Sequence, residues 1–151
     1  MPKEKSAGAV IFRREKGENY YLLLHYKSGH WDFPKGHIEN KESDKDTVKR
    51  EVEEETGIKD IIISDSFKEQ IKYFFRKSYN FKKEEKDKAP WVFKIVVFYL
   101  AETKTKDVSI SFEHTGYKWL RYDEALKQLT HKNAKRVLKK ANEFFVFKKG
   151  L

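Results

Sequence analysis

The stretch Ser43-Asp44-Lys45-Asp46-Thr47-Val48-Lys49-Arg50-Glu51-Val52-Glu53-Glu54-Glu55-Thr56-Gly57 decides how this chain is read. Ser43 suits an N-cap, because its hydroxyl accepts from the free amides of a first helical turn, with Asp46 as an imperfect capping-box partner. Gly57 suits the left-handed position that closes a helix. Between them the spacing predicts a helix over residues 43–56, anchored to a core by Val48 and Val52 one turn apart. Four glutamates crowd positions 51–55, an arrangement that like-charge repulsion disfavours unless cations compensate. At about 100° per residue, Glu51, Glu54 and Glu55 fall at roughly 0°, 300° and 40° on one face, while Glu53 sits near 200°. Carboxylates without cysteine suit a hard cation such as magnesium or manganese rather than zinc. A solvated acidic face is the plainer reading of the same run.

Outward from this helix, residues 6–12 and 20–25 are short runs rich in Val, Ile, Leu and Tyr that read as strands around a polar turn containing Gly17. Residues 26–42 form a long irregular segment broken by Gly29, Pro34 and Gly36, and connections of that length are often functional. Beyond the helix, residues 61–64, 67–75 and 91–101 read as strands; the last is a nearly continuous apolar run suited to a sheet covered on both faces. The lysine-rich segment 77–90 between them reads as a solvated hairpin loop, with a phosphate-binding arm as the alternative. Residues 113–120 lead through a strand into a helix near 123–129, and 131–147 form a closing amphipathic helix. Trp31, Trp91 and Trp119 read as packing residues. Strands on either side of a central helix, with more helix at the end, favour an α/β fold: a mixed sheet sandwiched between helices.

The 151 residues have the length of one domain, and 33 Lys+Arg against 24 Asp+Glu give a net charge of +9. A 38% hydrophobic share with 15% aromatic residues argues against disorder throughout. Zero cysteines exclude a disulfide framework, thiolate catalysis and Cys-based zinc sites. No apolar run approaches the roughly 20 residues needed to span a bilayer, and residues 1–5 are charged where a secretory signal is apolar. The expectation is a soluble, cytoplasmic protein with no membrane and no obligate protein partner. A pI near 9.5 points to polyanionic partners such as nucleotides, polyphosphates or RNA.

Gly36, Glu42, Arg50, Glu51, Glu54, Glu55, Gly57 and Ile58 stand in the order G-x5-E-x7-R-E-U-x-E-E-x-G-U, with U aliphatic. This resembles the Nudix box without a departure. The resemblance implies the Nudix fold, a mixed β-sheet in an α/β/α sandwich over residues 1–151, and hydrolysis of a nucleoside diphosphate linked to another group. It assigns Glu51, Glu54 and Glu55 to divalent cations, magnesium or manganese, with the Gly36 carbonyl as a further ligand, and it pairs Arg50 with Glu42 to hold loop and helix in register. Bound cations neutralise phosphate oxygens and generate hydroxide from water. Either Glu54 or a carboxylate outside the box takes the proton of that water.

Outside the box, residues 30–39 (HWDFPKGHIE) and 113–120 (EHTGYKWL) resemble the corresponding segments of asymmetrical diadenosine tetraphosphate hydrolases, as do residues 67–73 and Lys94. Animal members carry Thr and Pro where this chain has Asp32 and Phe33, and lack so long an insertion at 77–90. The resemblance implies that Tyr73 and Tyr117 offer ring faces to an adenine. His30, Lys35 and Lys94 contact the polyphosphate, and Glu113 serves the metals or acts as the base. The implied reaction is cleavage of diadenosine tetraphosphate to ATP and AMP. Pyrophosphate removal from a 5′-triphosphorylated or capped RNA is the alternative, motivated by the +9 charge and the lysine-rich insertion. A nucleotide sensor without turnover is the non-enzymatic alternative; the complete set of box glutamates weighs against it.

Overall fold

Two-residue alternation along three long strands sets the layering. The computed structural model describes residues 1–149. Its elements are β1 (Lys3–Glu15), β2 (Glu18–Tyr26), β3 (Trp31–Asp32), β4 (Lys35–His37), α1 (Asp44–Thr56), β5 (Ile62–Arg76), β6 (Trp91–Glu102), β7 (His114–Leu120), α2 (Tyr122–Gln128) and α3 (Lys132–Lys149). Val10 and Phe12 of β1, Tyr21 and Leu23 of β2, and Val96, Phe98 and Leu100 of β6 pack with Ala125, Leu129, Val137 and Leu138 from the α2–α3 side. Ala7, Ala9 and Ile11, Leu22 and Leu24, and Val97, Tyr99 and Ala101, the residues between them, pack with Val48 and Val52 of α1. Successive side chains of a strand point to opposite faces, so strands apolar at every position must be covered twice. The result is a sheet between helical layers, as its sequence predicts.

The sheet runs β3-β2-β1-β6-β5, with β4 also on β1 and β7 also on β2. β1 and β6 are parallel over ten residue pairs from Lys3↔Phe93 to Phe12↔Glu102; the remaining pairings are antiparallel. Lys16 (φ 52°) and Gly17 (φ 80°) make the tight turn between β1 and β2, where both central residues need positive φ. Ser43 caps α1 as expected, and the capping box is complete rather than imperfect: Asp46 N donates to Ser43 Oγ (3.1 Å) and Ser43 N to Asp46 Oδ2 (3.2 Å). Gly57 ends α1 at φ 76° and donates its N–H to Glu53 O.

Three expectations need correction. The runs 61–64 and 67–75 belong to one strand, β5, whose register against β6 shifts between Ile63 and Lys68; a bulge breaks apolar alternation without ending the strand. The irregular segment 26–42 contains β3 and β4, which are too short to show a period. Trp91 is half-exposed, with the Arg76 guanidinium 4.4 Å from its ring centre, instead of packing inside. Residues 77–90 form the β5–β6 connection, with Lys77 N donating to Pro90 O and a short 3-10 turn at Lys83–Lys88. Among the described residues no helix is long and apolar enough to cross a membrane.

Candidate active site

β1 and β2 pair directly only over Phe12–Glu15 and Tyr21–Glu18, then diverge, so that β4 lies against Ser6–Gly8 and β3 against Leu24–His25. The β3–β4 connection fills the wedge. Phe33 is fully buried there and meets Phe98 edge-on. Ala9 N donates to Pro34 O (3.1 Å) and Tyr26 Oη to Phe33 O (2.8 Å). Gly8 permits this approach: a Cβ at that position would lie 2.4 Å from Pro34 O and 2.6 Å from Lys35 Cβ. The turn therefore hands Lys35 and Gly36 to the end of α1, where Lys35 N donates to Glu55 Oε2 at 3.1 Å.

Arg50 organises the acidic face of α1. Its Nε donates to Glu42 Oε2 (2.7 Å) and its Nη2 to Glu42 Oε1 (3.0 Å), a two-point clasp, while Nη2 also donates to His37 O (2.9 Å). Its Nη1 reaches Glu51 Oε1 (2.7 Å) and Glu54 Oε2 (3.3 Å). These carboxylates hold the guanidinium pKa above its ordinary value, and Arg50 holds the Glu42 carboxyl down at about 2. Loop and helix are thereby tied together by charge-assisted bonds.

The box glutamates separate by environment. Glu55 is 4% exposed, and burial followed by the nearby Glu51 charge pushes its carboxyl up to about 8. Burial likewise raises Glu51, against the lowering pull of Arg50. Glu54 remains at the surface on Arg50, its side chain 58% exposed. Among the described residues no three His, Asp or Glu side chains stand at metal-holding spacing, Arg50 having drawn Glu54 outward. The donor chemistry nonetheless fits a hard divalent cation: Glu51, Glu55 and Glu113 border one cleft, and both helix carboxylates are raised first by burial and further by neighbouring carboxylates, Glu113 among them. Gly36 is their cradle, since a Cβ there would lie 2.0–2.3 Å from the Glu51 carboxylate.

That cleft, of about 350 Å³, is also bordered by Lys35, Gly36, His37, Tyr73 and Lys94. Burial lowers the Lys94 ammonium pKa, and Lys94 Nζ lies 3.4 Å from His37 Nδ1. A larger cleft of about 540 Å³ is bordered by His30, Asp32, Lys35, Ile71, Tyr73, His131, Lys132 and Asn133. Lys35 and Tyr73 border both, so the carboxylate cleft opens onto a more apolar, cationic one. Lys35 Nζ sits 3.5 Å from Asp32 Oδ2 and 5.3 Å from the centre of the Tyr26 ring, on which His30 also stacks.

Of the residues nominated from sequence, Lys35, Tyr73, Lys94, Gly36, Glu51, Glu55, Glu113 and His30 border one or both clefts. Tyr117 borders neither. It pairs with Leu24 on the α1 face of the sheet, whereas Tyr73 packs with the opposite core. Tyr26, His131, Lys132 and Asn133 border the clefts without having been nominated. For His131, Lys132 and Asn133 the one signal was a polar T-H-K-N run at the start of the last helix, remote in sequence from the box; Tyr26, at the end of β2, gave none.

Residues 2–141 match the NUDIX domain. The chain is 39% identical over 150 residues to the bis(5′-nucleosyl)-tetraphosphatase (asymmetrical) of Sus scrofa, covering 93% of this chain and 94% of that one. It is 36% identical over 152 residues to the same-named protein of Rattus norvegicus, with equal coverage. A crystal structure of a C. elegans Ap4A hydrolase binary complex superposes with a TM-score of 0.78 at 28% identity, covering 95% of this chain and 98% of that one. With the unbroken box on α1, a matching sheet and these relatives, the chain belongs to the NUDIX domain family.

Proposed function

We propose that this chain is a divalent-cation-dependent hydrolase that cleaves dinucleoside tetraphosphates asymmetrically, taking diadenosine tetraphosphate to ATP and AMP. The observation that carries the reading is the pair of joined clefts sharing Lys35 and Tyr73, one acidic and one aromatic and cationic. Likeness to the asymmetrical bis(5′-nucleosyl)-tetraphosphatases supports the choice of substrate.

In this reading the larger cleft takes a nucleoside, with Tyr73 and His131 offering ring faces to the base. Lys35 and Lys94 meet the phosphate chain at the junction, and His30 flanks it. Glu51, Glu54 and Glu55, with the Gly36 carbonyl, would hold the cations, for which Glu54 would give up its 3.3 Å bond to Arg50. Bound magnesium or manganese supplies charge neutralisation at the phosphates and an acidified water. Glu113 borders the same cleft and takes a proton as water oxygen bonds to phosphorus and the bridging P–O bond breaks. Arg50 and Glu42 position the helix.

The test is hydrolysis of diadenosine tetraphosphate by wild type, Glu54→Gln and Glu51→Gln, with magnesium and with excess chelator. Activity confined to wild type with metal, in variants that remain folded, supports the proposal; full activity of either variant, or in chelator, overturns it.

A further inference from the structure

The strand segments that border the cleft turn a second, unassigned surface to the opposite side. Tyr73 and Lys94 are register partners facing the cleft. Their neighbours in sequence face the other way, beyond the part of the sheet that α1 covers. There Phe74 pairs with Phe93, Arg76 with Trp91 and Lys72 with Ile95, and β1 adds Lys3 beside Phe93. Phe74 is 59% and Trp91 46% exposed. Large rings left open to water on a regular sheet, in a row rather than singly, mark an interaction surface.

We propose that this face is a docking platform for single-stranded nucleic acid. Charge identifies the occupant. Lys3, Lys5, Lys68, Lys72 and Arg76 share the α1 side of these strands, and among the described residues the carboxylate ion-paired with them is Asp44, engaged by Lys5 (3.3 Å) and Lys68 (3.9 Å). Among the described residues Lys3 and Lys72 have no carboxylate partner. A second copy of this chain, itself at +9, is repelled by such a face, whereas a phosphate backbone is attracted. Ring placement separates nucleic acid from a lipid surface. Phe74 lies against Phe93 with centroids 5.1 Å apart, and Arg76, anchored to the carbonyls of Asp87 and Ala89, holds its guanidinium carbon 4.4 Å from the centre of the Trp91 ring. Rings and a guanidinium plane fixed along a rigid sheet offer faces for bases to stack on; insertion into a bilayer needs side chains that project. Because none of the residues that border the cleft is used, this inference stands apart from the hydrolytic reading.

The experiment is fluorescence anisotropy of labelled oligouridylate and oligothymidylate with the full chain, beside sedimentation with phosphatidylserine vesicles. Saturable oligonucleotide binding should weaken with salt with a log–log slope of about −2 to −3, for three or four phosphates met. Trp91→Ala and Phe74→Ala should each weaken it about 5–150-fold, one stacked base per ring. Lys72→Glu, which disturbs no packing, should weaken it and flatten the slope while nucleotide hydrolysis is unchanged. Tighter binding of the ribo- or the deoxyribo-oligomer assigns the source. The proposal is overturned by absent oligonucleotide binding, by binding that ignores Trp91→Ala and Lys72→Glu together, or by vesicle binding alone.

Discussion

Two glycines one strand apart separate a catalytic from a structural role. In Gly36→Ala the new Cβ would lie 2.0 Å from the Glu51 carboxyl carbon, so that carbon must retreat by about 1.5 Å to reach ordinary contact. Glu51 is a flexible side chain and can yield, but its bond to Arg50 at 2.7 Å and its place in the cleft are lost. A misplacement beyond 1 Å costs roughly 100-fold in rate, while stability falls by no more than about 1 kcal/mol. In Gly8→Ala the clash is with Pro34 O at 2.4 Å, a backbone atom in a filled wedge. Overpacking of about 1–3 kcal/mol, with about 1 kcal/mol for the Ala9–Pro34 hydrogen bond, gives a loss of roughly 2–4 kcal/mol. At about 2–4 °C per kcal/mol for a chain of this size, Tm falls by roughly 4–16 °C. The assay is a thermal melt of each variant beside its kcat/KM for diadenosine tetraphosphate. The reasoning is refuted if Gly36→Ala keeps activity within about threefold of wild type, or if Gly8→Ala melts with the wild type.

Tyr73→Ala should raise KM about 5–150-fold by removing a base platform, and Tyr117→Ala, outside both clefts, should change it far less; steady-state kinetics decide. Glu42 is held at about 2 by Arg50, below its ordinary 4.5, so its contribution to stability is present above pH 4.5 and lost as pH falls toward 2. Glu42→Gln should therefore be less stable than wild type at pH 7, the gap closing between pH 4.5 and 2 in denaturant titrations. Asp60→Ala should destabilise by roughly 2–3 kcal/mol, since Asp60 accepts from Thr103 Oγ1, Lys104 N and Thr105 Oγ1 and ties the end of β6 to the segment after α1; the shift in denaturant midpoint reads it.

The core of the architecture was legible because its signals are local. Ser43 and Gly57 bound α1 through hydrogen bonds their own side chain and backbone make, and the run of residues 91–101 announces a doubly covered strand by its apolarity alone. The wedge was not legible: β3 and β4 exist because β1 and β2 diverge around Phe33, a tertiary event. The acidic helix could be placed on a wheel, yet only the structure shows Arg50 drawing Glu54 outward while Glu55 is buried. His131 escaped notice because the start of α3 reaches the cleft through space, and Tyr117, grouped with Tyr73 by the resemblance, stands on the opposite face because facing parity across β7 and β5 depends on register.

Asymmetric cleavage is read directly by chromatography of the products formed from diadenosine tetraphosphate with magnesium. ATP and AMP in equal amounts are expected from the wild type and neither from Glu54→Gln. Two molecules of ADP, or intact substrate beside a folded wild-type protein, would contradict it.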